Sequence, residues 1–201
     1  MSDLLIKNAR LKNGSIQNIL VLDELVADIG KIEEYNDIPS IDAKGYFVTT
    51  PFVDSHFHLD ATLSYGIPRV NESGTLLEGI KLWGELKSNL TADALKDRAR
   101  KLCKWAIAKG TLAIRSHVDI TDPSLLAVEA MLDIKNEFRA WLDLQLVAFP
   151  QDGVIRDSTA LRNTKRALDM GIDVVGGIPH FERTMSEGAQ SVKLLCEIAA
   201  E

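Results

Sequence analysis

The sequence predicts an α/β protein whose main part is a (β/α)8 barrel of the TIM type, with the first four barrel strands in this chain. From Pro51 onward, apolar strand-like runs alternate with segments of helical period, which favours a parallel sheet with right-handed crossovers. These runs also end in polar residues, as barrel strands do at their catalytic face. A flavodoxin-like open sheet is the alternative, but it gives no role to two histidines that close its first strand.

Residues 1–50 are interpreted as an N-terminal β-sandwich portion. Strands are predicted at residues 4–6, 16–21, 25–29 and 45–48, with turn residues at Asn13-Gly14, Gly30-Lys31 and Asn36-Asp37 between them. Strands this few and short do not form a stable core alone. We therefore expect this portion to need a partner surface.

Residues 51–201 are interpreted as the first half of the barrel. Strands are predicted at 52–58, 112–118, 142–149 and 172–178, and helices at 76–86, 93–108, 124–138 and 161–170. A complete barrel takes about 250 residues, and half a barrel leaves two unpaired sheet edges. We expect the remaining strands to come from a longer chain or from a second chain.

Local signals mark the ends and faces of these helices. Thr91 and Asp122 stand where N-caps belong, and Gly110 and Gly171 stand where a left-handed residue ends a helix. One apolar face of the second helix is formed by Leu95, Ala99, Leu102, Ala106 and Ile107.

Composition limits the function classes. The chain is 46% hydrophobic and 26% charged, which is typical of a soluble globular protein with a sizeable core. The formal net charge is −6 without a basic patch, so the sequence gives no support for binding nucleic acid. The sequence contains no apolar run long enough to cross a membrane, and its N-terminus lacks signal-peptide features. We expect a cytoplasmic protein that acts on a small, nearly neutral molecule.

Cys103 and Cys196 are far apart in apolar helical patterns, and we expect both to be buried, reduced thiols. The sequence lacks the Pro-Cys-x-x-Cys half of the zinc signature used by one class of nucleobase deaminases, and its one His-x-Glu, His180-Phe181-Glu182, stands without those cysteines. That class is therefore not indicated.

His56 and His58 are the most informative residues of the chain. They lie two positions apart at the end of an apolar run, and residues i and i+2 of a strand point to the same face. Two imidazoles side by side can hold a divalent metal ion if other ligands complete the site. The pattern is short, and two histidines close together in a loop are the other interpretation. The apolar strand before them, with Asp54 and Asp60 around them, favours the metal site.

The run PFVDSHFHLD at residues 51–60 resembles the first-strand signature of the amidohydrolase superfamily of metal-dependent hydrolases. It lacks the usual glycine after the proline, as the bacterial cytosine deaminase branch does. Four further segments resemble that branch in the same order: GTLLEG at 74–79, RSHVD at 115–119, VAFPQDG at 147–153 and IPHFE at 178–182. The resemblance covers nearly the whole chain.

The resemblance implies a metal-dependent hydrolase that deaminates cytosine to uracil and ammonia. It implies one divalent ion per site, Fe2+ or Zn2+, with His56 and His58 as ligands, and Gln151 as the substrate-binding glutamine. Leu76 matches a position that lines the same pocket. The remaining metal ligands and the proton-shuttling glutamate of the family have no counterpart before Glu201, so no catalytic acid or base is identifiable in this chain.

Several alternatives stay open. Within the superfamily, the substrate could be creatinine, isoguanine or an aminotriazine. A different class is a non-catalytic N-terminal fragment that binds metal weakly. For an intact enzyme we expect a small nucleobase-like substrate, no nucleic-acid or membrane partner, and a homo-oligomer.

We predict supporting rather than metal-binding roles for other polar side chains. We expect His117 and His180 to be hydrogen-bonded structural histidines rather than metal ligands, with His180 the better functional candidate. Asp60 and Asp119 are expected to orient their neighbours. An ordinary solvated helix face is predicted for Glu78, Lys81, Glu85 and Lys87.

Overall fold

The computed structural model describes residues 3–32 and 38–201. The chain divides into two compact units, Met1–Thr50 and Pro51–Glu201.

The first unit contains a four-stranded sheet with the order β3-β2-β1-β4. Strands β1 (Leu4–Arg10), β2 (Ile16–Leu22) and β3 (Leu25–Gly30) pair antiparallel, which confirms the first three predicted strands. The Asn13-Gly14 turn is also confirmed: Gly14 has φ +83 and donates its N–H to the Leu11 carbonyl at 2.9 Å. The antiparallel pairing of β1 and β2 follows from the alternation of apolar and polar residues in the two strands. The turn between them requires a glycine in the left-handed conformation.

The fourth predicted strand, at 45–48, is wrong in its extent, since within it only Phe47 pairs, through an isolated parallel bridge to Arg10. Lys44 and Gly45 have φ angles of 51° and 75°, and the Tyr46 N–H donates to the Ala43 carbonyl at 2.7 Å, so this segment begins as a turn. The observed strand β4 (Ser40–Asp42) precedes it and pairs parallel with β1. Pairing with β1 resumes after this turn, where the Val48 N–H donates to the Arg10 carbonyl at 2.9 Å.

The described residues of this unit form one sheet, whereas a sandwich needs two facing sheets. The sandwich therefore stays a prediction. The turn predicted at Asn36-Asp37 lies outside the described residues.

The second unit contains a parallel sheet with the order β5-β6-β7-β8. The strands are β5 (Phe52–Phe57), β6 (Thr111–Asp119), β7 (Asp143–Phe149) and β8 (Val174–Val175). The predicted parallel strands and their alternation with helices are confirmed. Strand order follows chain order, which is the winding of a barrel, whereas a flavodoxin-like sheet places its first strand between the second and third. Among the described residues the sheet is open, with β5 and β8 as its edges.

Strand β8 is shorter than the predicted 172–178 because two glycines follow it. A Cβ on Gly176 would lie 2.5 Å from Val147 Cγ1, and a Cβ on Gly177 would lie 2.3 Å from Leu195 Cδ1. The Gly176 N–H still donates to the Ala148 carbonyl at 3.0 Å. The backbone at Gly176 therefore still pairs with β7. At Gly176 and Gly177 it lies too close to Val147 and Leu195 for any side chain to fit.

Five helices accompany this sheet: α1 (Leu76–Lys87), α2 (Ala92–Ala108), α3 (Leu126–Phe138), α4 (Ala160–Met170) and α5 (Met185–Ala200). A 3-10 helix covers Pro179–Phe181. The main core lies between α2, α3 and the sheet, where Leu95, Ala99, Ile134 and Leu144 are buried. The predicted apolar face of α2 is confirmed, since its other members pack against this core.

The helix ends agree in part with the predicted signals. The Thr91 hydroxyl accepts from the Ala94 N–H at 3.2 Å, and Gly110 and Gly171 have φ angles of 85° and 112°, as predicted. Asp122 is not the N-cap of α3, because the helix begins four residues later, after Leu125 in a left-handed conformation. Its carboxylate nevertheless accepts from the first-turn N–H of the helix at 3.3 Å.

The two cysteines differ. Cys103 is buried, as predicted, and burial raises the pKa of its thiol to about 12. Cys196 is exposed, so its predicted burial is wrong, because the apolar pattern around it places Leu195 rather than the thiol against the core.

No helix within the described residues is long and apolar enough to cross a bilayer.

Candidate metal and substrate site

The functional candidates lie at the carboxyl edge of the β5-β6-β7-β8 sheet. Parallel strands present their carboxyl ends at one edge. His58 follows β5, Asp119 ends β6, Gln151 follows β7, and His180 lies in the 3-10 helix after β8. The fold therefore brings together side chains that are up to about 120 residues apart in sequence.

Three imidazoles form a cluster at this edge. Each of His56, His58 and His117 offers one ring nitrogen, and these nitrogens all lie within 4.8 Å of one another. The rings of His56 and His117 stack with centroids 4.0 Å apart, and His58 lies 5.5 Å from each. The edge of the Phe149 ring closes one side, at 5.5 Å from His58 and 5.3 Å from His117. Three nitrogen donors at this separation fit a divalent ion of the zinc type.

The lowered pKa values of His58 and His117 suit metal binding. Burial lowers the pKa of His58 to about 4, and the charges of His117 and His56 add to the effect. Burial also lowers the pKa of His117, together with the charge of His56. Neutral imidazoles carry the lone pair that a metal ion needs. His117 Nδ1 lies 3.3 Å from the Phe57 carbonyl, and a proton on that nitrogen leaves Nε2 free as a ligand.

Asp60 follows His58 by two residues and is 1% exposed. Its two carboxylate oxygens accept the N–H groups of Asp119 and Ala61, each at 2.9 Å. Burial nevertheless raises its pKa to about 7. The hydrogen bond between Asp60 and the Asp119 backbone ties the segment after β5 to the end of β6. This geometry matches the orienting role that we expected of Asp60.

A cavity of about 470 Å³ opens beside the three histidines. Its polar lining contains the imidazoles, Asp60, Gln151 and His180. Its apolar lining includes Leu76, Ile80, Trp83, Phe149 and Ile178. A cavity of this size, mostly apolar with a few converging polar groups, is typical of a small-molecule site.

The structure places the predicted residues as follows. His56 and His58 are neighbours in the cluster, Gln151 lines the same cavity, and so does Leu76. His180 lines the cavity, but it is outside the three-histidine group. Gln151 is carried by a loop whose conformation Glu182 holds: its carboxylate accepts the N–H groups of Val154, Ile155 and Arg156 at 2.6, 3.1 and 3.2 Å.

His117, which we expected to be a hydrogen-bonded structural histidine, belongs to the cluster as well. Its ring stacks on the ring of His56, which places it inside the group of possible metal ligands. The signal is its place in β6, where it sits two residues before Asp119 on the same strand face. The register of β6 against β5, with Phe57 opposite Ser116, decides its proximity to His56, and a single sequence does not give that register.

The prediction of a solvated helix face on α1 is wrong for Lys87. Its ammonium donates to Asp152 at 2.5 Å and to Thr121 Oγ1 at 2.7 Å, and its side chain is 21% exposed. Trp83, one turn earlier, donates its indole N–H to Asp119 at 2.6 Å. The helical spacing showed which residues share a face. It did not show that the end of this face packs against the carboxyl edge of the sheet.

A family model described as the amidohydrolase family matches residues 40–201. The chain belongs to the amidohydrolase family. The resemblance predicted from the run at 51–60 is therefore confirmed.

A solved structure of 5-methylcytosine deaminase from Klebsiella pneumoniae, liganded with phosphonocytosine, is 41% identical to this chain. The two superpose with a TM-score of 0.89 over 98% of this chain and 48% of the Klebsiella chain. This similarity confirms the predicted likeness to the cytosine deaminase branch.

Two further relatives carry another name. N-isopropylammelide isopropyl amidohydrolase of Pseudomonas sp. (strain ADP) is 31% identical over 99% of this chain and 51% of its own length. The structure of N-isopropylammelide isopropylaminohydrolase from Burkholderia multivorans ATCC 17616 is 26% identical, with a TM-score of 0.84 over 100% of this chain and 50% of that one. The chain thus spans about half the length of the relatives it matches.

Proposed function

We propose that this chain contributes the first half of a metal-dependent hydrolytic deaminase that converts cytosine to uracil and ammonia. One observation carries the proposal: Gln151 and the three imidazoles line a single cavity of about 470 Å³. That arrangement provides a recognition group and a metal-binding group within reach of one small ring. The Klebsiella deaminase, with its cytosine-like ligand, supports cytosine as the substrate.

The donor set fits the metal ion that the family implies. His56 and His58 would hold it, and His117 offers a third nitrogen within 4.8 Å of both. A bound Zn2+ or Fe2+ supplies Lewis-acid chemistry and lowers the pKa of water toward neutrality. The depressed pKa of His58 keeps its imidazole unprotonated at neutral pH, so the site is ready to bind a cation.

The cavity walls would bind and orient the pyrimidine. The Gln151 side chain carries two N–H donors and one carbonyl acceptor, which match the amide-like edge of cytosine. Trp83, Phe149 and Ile80 give aromatic and aliphatic surface against the faces of a flat ring. Burial of the ring against these walls excludes water from its non-reacting side.

The complete protein is part of this proposal. We propose that further sequence or a second chain closes the barrel, completes the predicted sandwich, and supplies the remaining metal ligands and the acid-base carboxylate. The open sheet with β5 and β8 as edges supports it, because unpaired edges seek partners. We propose a cytoplasmic homo-oligomer without a nucleic-acid or membrane partner.

A second candidate is the hydrolysis of an amino group from a triazine ring. The two relatives named for N-isopropylammelide favour it. Such a ring also has an amide-like edge for Gln151, so the cavity alone does not separate it from cytosine. The identity of 41% with the 5-methylcytosine deaminase structure, against 31% and 26% with the relatives named for N-isopropylammelide, supports cytosine as the first candidate.

The test is ammonia release by the complete protein from cytosine, creatinine, isoguanine and an aminotriazine. We expect the highest kcat/KM with cytosine, and loss of activity when a chelator removes the metal. An aminotriazine as the best substrate would establish the second candidate. No ammonia from any of the four, at stoichiometric metal, would contradict the proposed deaminase.

A further inference from the structure

Lys87 joins three segments behind the wall of the cavity. It is the last residue of α1, and its ammonium donates to Thr121 Oγ1 at 2.7 Å and to Asp152 Oδ2 at 2.5 Å. It also lies 3.5 Å from Asp119 Oδ2, at the end of β6. One side chain therefore bridges a helix end, the β6 exit and the loop after β7.

Two of these contacts lead directly to residues that line the cavity. Asp152 adjoins Gln151, whose side chain lines the cavity. Asp119, the other acidic partner, accepts the indole N–H of Trp83 at 2.6 Å, and Trp83 forms part of the apolar wall. The polar recognition group and the aromatic wall are thus connected through the same ammonium.

The charges explain why a cation is needed at this point. Asp119 is 5% exposed, and its second oxygen already accepts the backbone N–H and hydroxyl of Thr121, at 2.8 and 2.6 Å. Lys87 is the only cationic side chain that the described residues place on Asp119 or Asp152. Without it, Asp119 would be a buried carboxylate without a counter-ion, and Asp152 would lose its tie to the helix.

We propose that Lys87 is a positioning residue, which fixes the Gln151 loop and the Trp83 indole relative to each other so that a planar substrate fits between them. The proposal rests on the proposed function, because it assigns Gln151 a contact with the substrate. Lys87 is not one of the residues that line the cavity, and its ammonium acts through Asp152 and Asp119. Its loss should weaken substrate binding equally in the ground state and the transition state, which raises KM and spares kcat.

A second lysine of the chain provides a matched control. Lys135 Nζ lies 2.5 Å from Asp173, and the two side chains are 32% and 30% exposed. This pair joins α3 to the residue before β8, beside Leu146 of β7, and neither of its residues lines the cavity. Lys135→Met thus removes a comparable ion pair without reaching the substrate site.

The experiment compares Lys87→Met, Lys87→Arg and Lys135→Met in the complete, metal-loaded protein. We expect Lys87→Met to raise KM by on the order of tenfold, because binding is lost equally in the ground state and the transition state, with kcat and metal content close to wild type. Lys87→Arg should recover part of the loss, and Lys135→Met should leave KM unchanged. Equal kinetic effects of Lys87→Met and Lys135→Met, or none, would overturn the proposal.

Amide hydrogen exchange gives a readout that does not depend on activity. The Gly153 N–H donates to the Pro150 carbonyl at 2.9 Å within the loop that Asp152 anchors. Lys87→Met should speed exchange at residues 151–153 and not along β7, whereas Lys135→Met should leave this loop unchanged. Unaltered exchange at Gly153 in Lys87→Met would overturn the positioning role. If the wild-type protein turns over no substrate, the proposed function fails, and the exchange result alone decides whether Lys87 holds the loop.

Discussion

The imidazole rings of His56 and His117 stack with their centroids 4.0 Å apart and an angle of 29° between their planes. They come from neighbouring parallel strands, β5 and β6, and His58 completes the group. Burial, together with the nearby charge of His56, lowers the pKa of His117 and favours its neutral imidazole. Neutral rings with converging nitrogens are what a divalent ion requires.

This stacking predicts that His117 contributes to metal affinity. Whether it binds the ion or orients His56, His117→Ala should weaken affinity by about 10- to 100-fold. Competition with a chelator of known affinity measures the change. His180→Ala is the control, since His180 lines the cavity outside the three-histidine group and should leave metal affinity unchanged. Equal affinities for His117→Ala and wild type would remove His117 from the site.

Gln151→Leu should lower kcat/KM for the substrate while metal content stays the same. The polar edge of the ring would then be buried without a partner, at a cost of about 1–3 kcal/mol, or about 5- to 150-fold. Gln145→Leu is the matched control: Gln145 lies on β7 and accepts from Arg115 Nε at 2.6 Å, four residues before the strand ends. Steady-state kinetics of the two variants test whether Gln151 contacts the substrate. If both variants behave as wild type, Gln151 is only a loop residue.

The two thiols should differ in reactivity. Cys196 is exposed and should react readily with a thiol reagent, whereas Cys103 is buried with its pKa raised to about 12 and should react only after unfolding. Because the pKa of Cys103 is higher in the folded chain, its contribution to stability is complete below the unfolded value of 9.0 and is lost as the pH rises toward 12. Counting labelled thiols with and without urea tests the predicted difference in reactivity between Cys196 and Cys103. Two reactive thiols in the native protein would contradict the burial of Cys103.

The sequence predicted the parts of the fold that local patterns determine. Apolar runs and helical periods located β6 and β7 with α2 and α3, because each buries a regular face against one core, and the apolar run at 52–57 located β5, of which Phe57 packs against that core. It failed at 45–48, where Gly45 adopts a left-handed conformation although the residues around it favour a strand. It also overextended β8, because the contacts that make Gly176 and Gly177 necessary come from residues distant in sequence.

The candidate site was predictable only where one strand carries two of its residues. His56 and His58 share a strand end, so their proximity follows from the alternation of side chains. His117 depends on the register between strands, and Lys87 depends on how the end of α1 packs against the sheet edge. These are tertiary relationships, which residue spacing along one element does not encode.

The isolated 201-residue chain should not be an independent catalyst. Strand β5 is an edge of the open sheet, and its Phe52 and Val53 side chains are 63% and 69% exposed. Exposed apolar surface of this kind promotes association. The chain should therefore bind fluorescent hydrophobic probes or aggregate, and release no ammonia from cytosine with added zinc or ferrous iron. A monomer with a cooperative melt and measurable turnover would refute this, and would direct the search for ligands to His117, His180 and the nearby acids.

The central claim is that His56 and His58 bind a divalent metal ion. Elemental analysis of the purified complete protein tests it most directly, with His56→Ala and His58→Ala compared against wild type and His180→Ala. We predict one Zn2+ or Fe2+ per chain in wild type and His180→Ala, and little metal in His56→Ala and His58→Ala. These two variants should remain folded if the ion is catalytic, whereas loss of folding would indicate a structural ion. Equal, stoichiometric metal in all four proteins would contradict the claim.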